Sequence, residues 1–507
     1  MEQSKSSPPI SHLRLNTTRI FAFATTILLT MIITMFCVSI MMRYEVDSEV
    51  SSIEDTPYWK DEMPPEQKLW FDEAIEELKV ALNKNWRKQL ARNAIIFVIS
   101  GIDTETMAAA REVLSNRSKP QRKLSWERFP HLGRLKNSCS NTDLCDPFTV
   151  ASALFNGVRP NFRVGGFDSS VHFRDCRASA NISHYVKSIL EQAQENGMRT
   201  GLITTRRVTG AAMGALYAHT PNTAWECDAA LPVAARAAGC IDTALQLIKS
   251  EVGRQVNVIM GGGRQTLVSH SPNTAWDPVD ETVCDSRDNR NIISDWQKLN
   301  VKLKREFAVL QNNQDLQELN GTNVDHVMGI FANNYLPLLM DGLKAPKKRT
   351  PQLPEMMGKA LEVLKRKDKR YFLIVESGIK SSANVSEQIR TLLHWNDVVQ
   401  QIVEQNSEDE TLILSVFTNG YYVRNAVDGS AEVDVIPKEM DFPNENEAAA
   451  NDRLVNMPTE AVVYAKGPRS HLLHGVHEET YMSYVLSYAL QMGHFSRKLN
   501  TEEKRNI

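Results

Sequence analysis

The chain has no long block of charge of one sign. Its 58 basic and 61 acidic residues leave a net charge of -3, and with no basic stripe or tail it offers no surface to nucleic acid. Histidine is scarce, with 12 in 507 residues, and cysteine scarcer, with 7. A P-loop is missing too: the GGGR at Gly261 to Arg264 lacks the Gly-Lys-Ser/Thr ending that such a loop needs. An apolar content of 42% excludes a disordered chain, and the length suffices for one large core or two intimate ones.

What is present begins with an uncharged run. Residues 20–42 read IFAFATTILLTMIITMFCVSIMM, and about 20 apolar residues cross a bilayer as a helix. The run is longer than the core of a cleaved signal peptide, about 7 to 15 residues, and has no clean small-x-small cleavage site, so an uncleaved anchor is expected. Lys5, Arg14 and Arg19 precede it, whereas Glu45, Asp47 and Glu49 follow Arg43. The positive-inside bias then leaves 1–19 as a cytosolic tail and puts the rest outside the cell or in a lumen, a single-pass type II arrangement. The polar, acidic residues 43–57 read as a stalk. Sequons at Asn116, Asn181, Asn320 and Asn384 lie beyond the run, as do six of the seven cysteines, which fits an oxidising compartment.

Past the stalk, EQKLWFDEAIEELKVAL has helical apolar spacing. Short apolar runs at Ala94 to Ile99, Thr200 to Thr204, Val256 to Met260, Tyr371 to Val375, Leu412 to Phe417 and Ala461 to Tyr464 then alternate with helix-like segments such as Thr106 to Leu114 and Ile182 to Glu195. The alternation predicts an α/β fold, a doubly wound and mostly parallel sheet flanked by helices. Chemistry in such folds sits at the carboxyl ends of the strands. One other stretch has ligand-like spacing: HLLHGVHEE, His471 to Glu479, with three histidines three residues apart. Gly475 breaks any helix that would align them, so a structural role is expected.

Four segments, YWKDEMPPEQKLW (Tyr58 to Trp70), TTRRVTGAAMGALYAH (Thr204 to His219), VIMGGGR (Val258 to Arg264) and YAKGPRSHLLHGVHEETY (Tyr464 to Tyr481), resemble the animal alkaline phosphatases in order and interval. The likeness covers 58–490 as an ectodomain, with a shortened crown-type loop at 424–456 and a polar tail at 491–507. It implies a dimeric phosphomonoesterase with two zinc ions and one magnesium, a serine nucleophile and an arginine on the phosphate. It also places Cys176 and Cys240 at the family's disulfide positions. The pairing of the other four stays open, with Cys139–Cys145 and Cys227–Cys284 as one arrangement. The tail has no apolar stretch for the glycolipid anchor of animal relatives, so the N-terminal run is expected to replace it.

Two zinc ions about 4 Å apart need Asp and His ligands from several strand ends, and the family's positions are mostly otherwise occupied. Ser100 stands for a metal aspartate after the first strand, with Asp103, the nearest carboxylate, expected as a helix N-cap. In DPF, Asp146 is kept and Pro147 occupies the nucleophile position. The helix there should persist on the Asp146 cap, the first-turn proline and a stop at Asn156-Gly157. Gly210 and Ala212 stand for a histidine and a magnesium hydroxyl, and Thr223 for the phosphate arginine. Glu376 matches the magnesium carboxylate. Ser381 and Val385 replace an Asp and a His, Thr418 and Asn419 an Asp-His pair, and Asn456 the last histidine. One carboxylate cannot hold two zinc ions, so neither zinc nor magnesium is expected as a cofactor. The sequence thus predicts a pseudoenzyme, a non-catalytic ectodomain acting through partner binding, as a homodimer or in a heterodimer with an active relative. A phosphomonoester hydrolase with a rebuilt metal site and a protein binding anionic ligands are the other readings.

Overall fold

The computed structural model of the chain describes residues 25–38, 87–102, 104–115, 123–142, 145–337, 350–378, 385–418, 422–425, 454–457 and 460–496. It divides into two compact units, Met1–Asn85 and Trp86–Ile507. The described part of the first is a helix over 25–38, exposed along its length. The Thr30 hydroxyl donates to the carbonyls of Thr26 and Ile27, and that of Thr34 to those of Thr30 and Met31. The ends of the span expected at 20–42 fall outside the described residues, and among these no helix is long and apolar enough to cross a membrane. The stalk, the amphipathic segment after it, Asp103 and most of 424–456 also lie outside.

The second unit carries strands β1 (Asn93–Ser100), β2 (His131–Lys136), β3 (Arg199–Arg207), β4 (Val258–Gly262), β5 (Phe307–Leu310), β6 (His326–Ile330), β7 (Tyr371–Gly378), β8 (Thr411–Thr418), β9 (Tyr422–Asn425), β10 (Leu454–Met457), β11 (Glu460–Lys466) and β12 (Gly475–Glu478). Ten of them form one sheet in the order β12-β2-β11-β8-β1-β7-β3-β4-β6-β5, while β9 and β10 pair separately and antiparallel. Pairing is parallel throughout the large sheet except around β11, which runs antiparallel to β2 and β8. The mostly parallel α/β sheet expected from the alternating runs is therefore present. All six of those runs are strands.

Central strands such as β1 and β7 are apolar on both sides because helices cover both faces. Phe372 and Ile374 enter one core with the helices Pro147–Asn156, Ala211–Tyr217 and Tyr481–Leu490. Leu373 and Val375, pointing the other way as strand neighbours must, enter a second core with Leu353–Leu364 and Val385–Gln405. There Phe97 meets Trp395 edge-on at 5.6 Å, worth about 1 kcal/mol beyond the area it buries.

Two expectations need correction. The segment 182–195 is not one helix: a short turn at Ile182–His184 is followed by a separate helix, Ile189–Glu195. The Ser188 hydroxyl caps the Glu191 amide at 3.1 Å and donates to Leu216 O at 2.7 Å. This local hydrogen bonding outcompetes a continuous helix. The tail assigned from 491 begins later, because Met492 is fully buried and its amide donates to Ser487 O.

Candidate functional site

At the carboxyl end of the sheet, three adjacent strands bring together positions that the sequence had singled out. Ser100, the last residue of β1, lies opposite Gly378 of β7 and Thr418 of β8. Its Oγ is buried and without a hydrogen-bond partner among the described residues. Thr418 contributes its carbonyl to the Gly101 amide. Glu376 is 2% exposed and receives the Thr204 hydroxyl at 2.7 Å, across the β7–β3 register that sets the two side by side. Burial pushes its carboxyl up, and the positive charge of Arg206 with the Thr204 hydroxyl pulls it back.

Arg206 explains why β7 ends in glycine. A Cβ on Gly378 would lie only 2.1 Å from the Arg206 guanidinium. Arg207 next to it makes a paired contact with Glu226, Nε to Oε1 at 2.7 Å and Nη2 to Oε2 at 3.0 Å, a fork geometry that only arginine supplies. Thr204, Arg206 and Arg207 were not among the expected site residues. Their signal was the TTRR that directly follows the apolar part of β3, at the strand end where such residues belong.

Pro147, expected at the nucleophile position, sits at a well-made helix start. Pro147 is exposed, as the first residue of Pro147–Asn156, and Gly157 closes that helix with φ 72°, a left-handed conformation suited to glycine. Asp146 Oδ1 accepts the Phe148 and Thr149 amides at 3.1 and 3.2 Å, and Oδ2 accepts the Arg163 amide at 2.9 Å and the Thr149 hydroxyl. Gly210 precedes the helix Ala211–Tyr217, Ala212 is in the core, and the Thr223 amide donates to Arg163 O at 3.0 Å. Val385 begins its helix and is exposed. Asn456 is opposite Val423 in the β9–β10 pair. Ser381 and Asn419 lie outside the described residues, as do Asn116 and Asn384, while Asn181 and Asn320 are exposed.

HLLHGVHEE builds a sheet edge. Ser470–Leu473 is a short turn, Gly475 takes φ 110°, and Gly475–Glu478 pairs with β2. The histidines go separate ways, His471 edge-on to His131 and His477 stacked on Tyr481. Among the described residues no group of three His, Cys, Asp or Glu is placed to hold a metal ion.

Glu479, at the end of this stretch, is fully buried against the Ser138 amide and Arg159. Burial pushes its carboxyl from 4.5 up to about 7. A raised folded pKa means that its contribution to stability is full below pH 4.5 and is lost as pH rises to about 7. Glu479→Gln should flatten the denaturation midpoint across that window and leave the variant more stable above it, by about 3 kcal/mol. An unchanged pH profile would refute this.

Three disulfides close the molecule, Cys139–Cys145, Cys176–Cys240 and Cys227–Cys284. They are typical of an extracellular or lumenal domain. The alkaline phosphatase family profile matches residues 91–428. The chain belongs to the alkaline phosphatase family. It is 29% identical to Alkaline phosphatase 4 of Drosophila melanogaster, over 86% of this chain and 83% of that one. The human tissue-nonspecific isozyme is 27% identical, over 85% and 90% respectively. The alkaline phosphatase of the Antarctic bacterium TAB5 matches with a TM-score of 0.55 at 16% identity, covering 80% of this chain and all of that one. Such a distant structural match speaks for the alkaline phosphatase fold alone.

Proposed function

We propose that this member of the alkaline phosphatase family is non-catalytic, an ectodomain that acts through partner binding, as a homodimer or beside an active relative. The carrying observation is the surroundings of Glu376. The one carboxylate left at the family's metal positions is held by a threonine hydroxyl and countered by Arg206 and Arg207. A zinc site takes three or more Cys, His or carboxylate ligands, and Ser100, Gly210, Ala212 and Thr418 supply none. The residues present do not fit two zinc ions. The lack of an arginine at Thr223 weighs against an anion-binding role in the same cleft.

We propose further that the apolar N-terminal run carries this ectodomain on the outer or lumenal side of a membrane. The hydroxyls of Thr30 and Thr34 are satisfied by their own helix, as polar groups in lipid must be. One preparation of full chain from animal-cell membranes tests the whole reading. Glycosidase should shift its mobility, its zinc content should fall below about one ion per chain, and phosphomonoester hydrolysis should equal a mock preparation. Stoichiometric zinc with turnover would return it to the phosphatases. The absence of any glycosidase shift would reverse the topology.

A further inference from the structure

Between the helix Pro147–Asn156 and β3 the chain sets two arginines around one exposed ring. The Arg174 guanidinium lies over Phe173 at 4.8 Å and that of Arg163 at 5.9 Å, with Arg163 also over Phe162 at 5.6 Å. Phe173 is 39% exposed, Arg174 is exposed, and Phe162 and Arg163 are half-buried. Among the described residues neither guanidinium has a carboxylate in ion-pair range. The acids next to them in space or sequence are engaged elsewhere: Asp146 caps its helix, and Asp175 accepts the Ala178 amide at 2.8 Å.

Both arginines stand on a fixed backbone. Each has a positive φ, 60° at Arg163 and 63° at Arg174, a strained conformation for any residue but glycine and one that gathers at binding sites. The Arg163 amide donates to Asp146 Oδ2 at 2.9 Å and its carbonyl accepts the Thr223 amide at 3.0 Å. The Arg174 amide donates to Pro221 O at 2.8 Å, two residues before the Cys176–Cys240 disulfide. With the guanidiniums already held on rings, less rotamer freedom is lost when they meet a ligand.

We propose that Arg163, Phe173 and Arg174 form a docking surface for an acidic segment of a partner protein, carboxylates flanking an apolar side chain. The carboxylates take the two guanidinium forks, and the apolar side chain covers the exposed part of the Phe173 ring. Arginine beside an aromatic ring is the composition of a protein interface. A sulfated polysaccharide calls for a run of about five to eight basic residues, and no such run surrounds Arg163 or Arg174. A small anion calls for an enclosed pocket, whereas this patch is open to solvent. The proposal rests on the partner-binding reading and adds the chemistry of the partner.

Full chain in nanodiscs of neutral phosphatidylcholine is titrated with a dye-labelled hexapeptide, Glu-Glu-Phe-Asp-Glu-Glu, and with its uncharged counterpart, Gln-Gln-Phe-Asn-Gln-Gln. The acidic peptide should bind saturably and about tenfold more tightly than the other. Arg163→Gln combined with Arg174→Gln should erase the difference, whereas Lys302→Gln with Lys304→Gln, which removes two exposed charges elsewhere, should keep it. Phe173→Leu leaves both charges but frees the guanidiniums, and should weaken binding about threefold to fivefold. No saturable binding of the acidic peptide, equal affinity for the two peptides, or a preference that survives the double arginine exchange overturns the proposal. If the double variant does not fold, a preference that survives Arg174→Glu alone overturns it. So does tighter binding of a heparin octasaccharide or of inorganic phosphate through the same arginines, which would make the patch a polysaccharide or small-anion site. Neither zinc nor hydrolysis is read, so failure here leaves the non-catalytic reading standing, and failure of that reading leaves this result unchanged.

Discussion

Asp146→Ala is expected to lower the free energy of unfolding by about 2–4 kcal/mol, a large share of a domain's stability. The loss of a helix N-cap alone costs about 1 kcal/mol. Here the same carboxylate also accepts the Arg163 amide and the Thr149 hydroxyl while 9% exposed. Alanine would strand the Arg163 amide, whereas the Thr149 hydroxyl keeps the Val164 carbonyl as an acceptor at 3.1 Å, and an unsatisfied buried donor adds about 1–3 kcal/mol. Asp146→Asn should fall between the two, since its Oδ1 can still cap the helix while its amide turns two N–H donors toward Arg163 and Thr149. Denaturant titration measures the series. A loss under about 0.5 kcal/mol for alanine, the range of an ordinary surface change, would mean that the retained aspartate is free for some other role.

Pro147→Ser should leave the chain at background hydrolysis even with zinc and magnesium supplied, still at least about 10⁶-fold short of an enzymatic acceleration. The variant would have a hydroxyl at a helix N-terminus, where the dipole favours the alkoxide by about 1 kcal/mol at most. That is a small fraction of the barrier. A serine nucleophile needs a base or a metal within reach, and the side chains at the strand ends are Ser100, Glu376 beneath Thr204, and Thr418. Hydrolysis by the variant clearly above that of the unmodified chain would reveal a working metal centre and overturn the non-catalytic reading.

The long central strands were legible because a strand buried on both faces is written as an unbroken apolar run, as in NAIIFVIS and TLILSVFT. Most of the strands that went unread lack this feature, while β6, HVMGI, is buried throughout but only five residues long with His326 and Gly329 in it. HLGRLK, next to the edge, and GVHE, the edge strand itself, have alternate residues in solvent, and FAVL is only four residues long. The candidate site was readable as far as strand-end positions could carry it, which placed Ser100, Glu376 and Thr418 on neighbouring strands. The Arg206 guanidinium above Gly378 and the Trp395 ring edge-on to Phe97 bring together segments distant in the chain. No local pattern announces such meetings.

The proline at the start of the Pro147–Asn156 helix has a consequence for reversibility. At that position the missing amide proton is not needed by the helix, and the fixed φ suits the first turn. A proline whose geometry already matches the fold also narrows the unfolded ensemble, which favours the native state by about 0.4–1 kcal/mol. Returning a serine there would give up that advantage before any reaction could compensate. At this position proline thus lies downhill of serine for the scaffold, and a change to serine runs uphill.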